Sequence, residues 1–220
     1  MKQKNNKAKY VLLELINHLP FSIFGVVSGI IMIGLLTFVA IVSGGEGLLK
    51  HASGELFHVF HPVHVLLSAV ATTAMYWKHE RSLWKAIIIG LLGSILICGL
   101  SDTVFPILGG IILGADMHIH ICLFEHSLLV LPFAILGIVV GLTIGNTLER
   151  PTEYSHSMHV FVSSAASILY LLSYGLDSWV YSLGGVLILT ILAVMIPCCL
   201  SDIVFPLTCA HKNCGCASDH

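Results

Sequence analysis

Charge is what this sequence has least of. Ten Lys and Arg and twelve Asp and Glu make up a tenth of its 220 residues, where a soluble domain carries about a quarter. A water-soluble fold is thereby excluded, and the 56% of hydrophobic residues points to a chain built for the bilayer. The net charge of −2 leaves no basic surface for phosphate, so a nucleic-acid partner is excluded too. No phosphate loop is present, which argues against nucleotide-driven pumping. Neither a Gly-x-Ser-x-Gly elbow nor a His-Glu-x-x-His pair occurs. The seven Cys lack the spacing of a secreted disulfide framework, and reduced thiols are expected. The leader Met1 to Lys9 is basic, but no short apolar region with a small-residue cleavage site follows it. It reads as a retained cytoplasmic end.

What is present is apolar length. A membrane span takes roughly 20 apolar residues, and six stretches qualify. After a short amphipathic segment at Tyr10 to His18, they are Pro20 to Ser43, Phe57 to Trp77, Ala86 to Gly114, Leu128 to Gly145, Met158 to Leu176 and Val180 to Leu207. The third and sixth are long for upright helices and contain Ser-Asp and Pro, so they are expected to be tilted, kinked or interrupted. Lys2, Lys4, Lys7, Lys9, Lys78, Arg81, Lys85, Arg150 and Lys212 fall on one side of a six-span topology, and Lys50 alone on the other. The bias predicts a cell-membrane protein with both termini cytoplasmic.

The chain also repeats itself. Cys98-Gly-Leu-Ser-Asp-Thr-Val-Phe-Pro106 returns one hundred residues later as Cys198-Cys-Leu-Ser-Asp-Ile-Val-Phe-Pro206. His61-x-x-His64 with Ser68 returns as His156-x-x-His159 with Ser163. Leu19-Pro-Phe21, Gly25, Val27 and Gly29 return as Leu131-Pro-Phe133, Gly137, Val139 and Gly141. Each half, 1–115 and 116–208, therefore holds three spans in the same order, and 209–220 forms a Cys/His-rich cytoplasmic tail. Three is odd, so the halves are expected to lie in the membrane with opposite orientations, the plan of many secondary transporters. The expected fold is an all-α integral membrane protein with two inverted-topology three-helix repeats.

Asp102 and Asp202 sit at membrane depth, where a charge is costly and marks a functional site. His61 and His64 share a helix face, as do His156 and His159, and imidazoles at this spacing suit a metal. His61, His64 and Asp102 are expected to form one half-site, and His156, His159 and Asp202 the other, with zinc or manganese as the cation. Ser101, Ser201, Cys98, Cys198 and Cys199 lie beside the carboxylates as accessory groups, the cysteines reading first as small core residues. His118, His120, Glu125 and His126, with His51, His58 and Asp116, are placed to gather a cation at the outer mouth, or to form a solvated loop. Cys209, His211, Cys214, Cys216 and His220 have a metal-capturing composition. Protonation is the rival role for the repeated His residues, and the two roles are compatible because a metal displaces protons from its ligands.

The half-starts Glu14, Leu19-Pro-Phe21, Gly25, Gly29 and Glu125, Leu131-Pro-Phe133, Gly137, Gly141 resemble those of predicted permeases linked to heavy-metal and metalloid export. That resemblance implies a metal-ion permease or exporter. The expectation is a proton-coupled transporter of a divalent transition-metal cation, working as a homodimer in the bilayer. Its alternatives are an intramembrane zinc hydrolase with a metal-bound water as nucleophile, and a haem-binding electron carrier. Asp102 and Asp202, toward opposite leaflets if the spans are simple, are expected to be successive stations.

Overall fold

Apolar segments in hydrocarbon must pair their own backbone groups, and the helix does so within one segment. The computed structural model describes residues 2–125, 127–145, 151–176 and 179–209, and among them there are helices and connections but no strand. Six helices are long and apolar enough to cross a membrane. They are α1 (Lys2–Val42), α2 (Glu46–His79), α3 (Leu83–Ile112), α4 (Ser127–Ile144), α5 (Pro151–Tyr174) and α6 (Trp179–Cys209). A helical turn at Cys122–Glu125 precedes α4.

Several features differ from the sequence expectation, among them the start of α5 at Pro151 instead of Met158. The amphipathic leader and the first span form one helix that continues through Pro20. α2 begins at Glu46, about three turns before Phe57. Lys50, His51 and Glu55 give that stretch a loop-like polarity, yet it has no proline and the turn is made earlier, at Gly44 with φ 71°. The third and sixth spans are not broken. Each runs on through a π turn, Leu100–Val104 in α3 and Leu200–Val204 in α6. The amide of Phe105 donates to the carbonyl of Leu100, and that of Phe205 to Leu200, each five residues back. Pro106 and Pro206 follow directly. A proline lacks the N–H for the normal bond and crowds the carbonyl four residues earlier. That carbonyl belongs to Asp102 or Asp202, and the extra residue of a π turn widens the helix there. Sequence punctuation thus becomes a bulge that holds Ser101 and Asp102, or Ser201 and Asp202, buried.

α2 and α5 form the centre and pack on each other, while α4 covers α2 and α1 covers α5. The run from Ala165 to Leu172 is buried throughout, as expected of a helix enclosed by others. The outer helices turn Phe24, Leu35, Phe38, Ile112, Leu128 and Ile188 outward, a surface suited to lipid. Small residues bring the backbones together. A Cβ at Gly29 would lie 2.7 Å from Ser164 Cβ and 3.1 Å from the Phe161 carbonyl, both on α5. The matching contacts on α2 belong to Gly137, at 2.7 Å from Ala69 Cβ and 2.4 Å from the Leu66 carbonyl. The sequence match pairs Gly29 with Gly141, so contact and sequence differ by one turn. A glycine every fourth residue permits that slip, because one glycine replaces another along the ladder.

Valine at position 137 has no room for its side chain, and overpacking of this kind costs about 1–3 kcal/mol. Gly99 has no heavy atom within 4 Å of a Cβ position. Gly137→Val should therefore lower the thermal unfolding midpoint of the detergent-solubilised protein, and Gly99→Ala should leave it unchanged.

Candidate metal centre

The π turns of α3 and α6 bring their carboxylates against the His pairs of α2 and α5. Nδ1 of His61 donates to Oδ2 of Asp102 at 2.9 Å, and Nδ1 of His64 to the same oxygen at 2.6 Å. In the second half, His156 Nδ1 and His159 Nδ1 reach Asp202 Oδ2 at the same two distances. All six residues are buried. Each carboxylate thus fixes two imidazoles, leaving their Nε2 atoms to look elsewhere. A carboxylate behind the ring is the usual support of a metal-binding histidine.

The two clusters meet. His64 Nε2 lies 2.6 Å from His159 Nε2, so Asp102, His64, His159 and Asp202 form one chain of contacts. Cys98 Sγ is 3.6 Å and Cys198 Sγ 3.8 Å from His64 Nε2. The ligand atoms therefore fall into three groups, each with its members within 4.8 Å of one another. Two are the expected half-sites, His61, His64, Asp102 and His156, His159, Asp202. The third, His64, His159 and Cys198, lies between them and shares a histidine with each. The two expected half-sites are joined into one continuous row. The reason is that α2 and α5 are neighbours, so equivalent faces of the two halves confront each other across the centre.

Serines reach across the halves as well. Ser163 on α5 donates to Asp102 Oδ1 at 3.1 Å, beside Ser101 at 3.0 Å. Ser167 donates to the Ser101 carbonyl, as its counterpart Thr72 does to the Ser201 carbonyl. The symmetry stops at Asp202. Ser68 and Ser201 bond to each other at 3.0 Å, and Asp202 Oδ1 is buried with no hydrogen-bond partner. The outer histidine of each pair differs too. His156 Nε2 bonds Ser22 Oγ at 3.0 Å, with Cys199 Sγ 3.8 Å away. His61 instead lines a cavity of about 260 Å³ whose wall includes Gly99, Thr103, Ile107 and Cys122. Gly99 stands where the second half has Cys199.

The remaining expected groups come together only in part. His120 is buried, whereas His118 and Glu125 are exposed, and Glu125 Oε2 accepts from His120 Nδ1 at 2.9 Å. Cys209 packs near Tyr76 and Ala86 at the end of α6. His126, His211, Cys214, Cys216 and His220 lie outside the described residues. Ser22 and Cys122 were not assigned from the sequence. Ser22 directly follows Leu19-Pro-Phe21, and Cys122 sits inside the His-rich connection, so position alone could have marked them. Burial, with Glu125 adding to it, pushes the Cys122 thiol up to about 11.

Comparison with family models, with curated proteins and with solved structures gives no match. The chemistry must be argued from the site.

Both oxygens of Asp102 accept hydrogen bonds, so an Asn there must turn the Ser101 and Ser163 hydroxyls from donors into acceptors or leave its amide N–H unmatched. At position 202 the amide can occupy the side that has no partner. An unmatched buried polar group costs about 1–3 kcal/mol. Asp102→Asn should therefore destabilise the protein more than Asp202→Asn, read as the difference between their thermal unfolding midpoints.

Proposed function

We propose that this chain is a secondary transporter that moves a divalent transition-metal cation across the cell membrane, as two inverted three-helix halves. The observation that carries the reading is the row of three overlapping ligand groups joined by His64 and His159. Each of these histidines has one ring nitrogen toward its own carboxylate and the other toward the centre. A cation moving from one group to the next exchanges one nitrogen of a shared imidazole for the other, so neighbouring positions lie one ring apart. Imidazole with thiol favours zinc; manganese, the other cation the ligand set suggests, prefers oxygen.

The inverted arrangement is supported by the exchange of contacts between halves. α1 packs on α5 and α4 on α2, and Thr72 and Ser167 make equivalent bonds to the opposite half. Inversion suits transport because it makes inward-open and outward-open states near-equivalent. Both termini are then cytoplasmic, as the Lys and Arg distribution suggests. Protons are the natural counter-ion, since a cation that occupies an imidazole nitrogen excludes the proton from it. The resemblance of the half-starts to metal and metalloid permeases agrees with this reading. A hydrolase needs a single asymmetric site with a placed water, and a ligand row repeated in both halves favours passage over turnover.

Proteoliposomes containing the purified protein should take up zinc in a manner dependent on the transmembrane proton gradient. Asp102→Asn and Asp202→Asn each remove the carboxylate behind two imidazoles, a change that typically costs 10–100-fold in metal affinity or activity. Each should lower the uptake rate at least tenfold. Uptake of neither zinc nor manganese by the wild type, or full uptake by both variants, would refute the transport reading.

A further inference from the structure

We propose a second, separate metal site at the edge of the bundle, formed by His58, His120 and Cys122. His58 lies on α2 one turn before His61. His120 and Cys122 come from the connection between α3 and α4. Their ligand atoms lie within 4.8 Å of one another, with the two Nε2 atoms 3.2 Å apart.

A loop histidine makes a useful ligand only if it is held in place, and His120 is held on every side. Its Nδ1 donates to Glu125 Oε2 at 2.9 Å, which directs the Nε2 lone pair toward His58 and Cys122. Its ring stacks on Tyr174 at 4.9 Å between centroids and 10° between planes. Its backbone N–H donates to Tyr170 Oη at 3.0 Å, and that hydroxyl donates back to the His120 carbonyl at 2.9 Å. Phe57 meets the ring edge-on. Five contacts from four side chains thus fix a residue that lies outside any helix. Cys122 is 1% exposed, while His58 is partly open and gives the site its access.

Two imidazoles and one thiol, with a carboxylate behind one of them, form a borderline-soft set suited to zinc and its spectroscopic substitute cobalt. Three protein ligands leave a fourth position for water or another donor. The site shares no residue with the His64–His159 row. Cys122 and His61 do line the same 260 Å³ cavity, so the outer site stands at the end of a space that leads to the first half-site. Binding at the outer site stands on its own geometry. A role as an entry station rests on the transport reading.

The test titrates purified full-length protein with Co²⁺ alone and follows the thiolate-to-cobalt charge-transfer band. It compares wild type, Cys122→Ser, Glu125→Gln and the double variant His64→Ala with His159→Ala. The outer site predicts a band in the wild type and the double variant, one less thiolate contribution in Cys122→Ser, and 10–100-fold weaker binding for Glu125→Gln. Zinc added in competition should abolish the band. An identical spectrum and affinity for wild type and Cys122→Ser would overturn the site. Should the double variant not fold, the difference between wild type and Cys122→Ser decides alone. Because the readout is binding, it is unaffected by whether the vesicles transport. If they do, Cys122→Ser should raise the zinc concentration for half-maximal uptake about tenfold with the maximal rate kept, and an unchanged value would remove the entry role.

Discussion

A carboxylate at membrane depth must have its charge matched or the helix that carries it will not stay there. An unmatched one costs about 2.5–3.5 kcal/mol at the centre of a span even on the lower scales, and here two buried carboxylates lie in helices long and apolar enough to span. Matching is done by imidazoles rather than by Lys or Arg. A fixed cation would neutralise the site permanently. A histidine donates its Nδ1–H to the carboxylate and still presents a second nitrogen. The contacts of His61 and His64 with Asp102, and of His156 and His159 with Asp202, therefore govern the rest of the arrangement. They demand that α3 approach α2 and that α6 approach α5. They also demand that the Ser-Asp turns face inward, which the π turns achieve.

Packing serves the same end. α2 and α5 carry polar residues on buried faces, including Ser68, Thr72, Ser163 and Ser167, and are unsuited to lipid. The four outer helices enclose them and expose aliphatic surface instead. Glycines such as Gly29 and Gly137 let the outer helices approach until backbone nearly touches backbone. The polar interior is thus close-packed except beside His61, which lines the cavity.

Much of this was legible in the residues. Six spans, the pairing of each His-x-x-His with the Ser-Asp of its own half, and the anomaly at Pro106 and Pro206 all follow from apolar length, helical spacing and proline chemistry. Contacts between halves were not legible, because a repeat says which segments are alike and not which face each other. Hence the meeting of His64 with His159, the gift of a Ser163 hydrogen bond to Asp102 and the capping of His156 by Ser22 emerge only in three dimensions. The start of α2 was misplaced for a different reason. Lys50, His51 and Glu55 suggested a loop, but a helix that projects beyond an apolar layer carries the same residues. The glycine ladder misled by one turn because its period equals the error.

Duplication makes the two ends of the His row alike, and one position adds to the differences already seen at Asp202 and Ser22. At Gly99 the missing side chain leaves room beside His61, while at Cys199 the same place beside His156 is filled. Differences such as these distinguish one end of the His row from the other, and the absence of a single thiol leaves one end open where the other is closed.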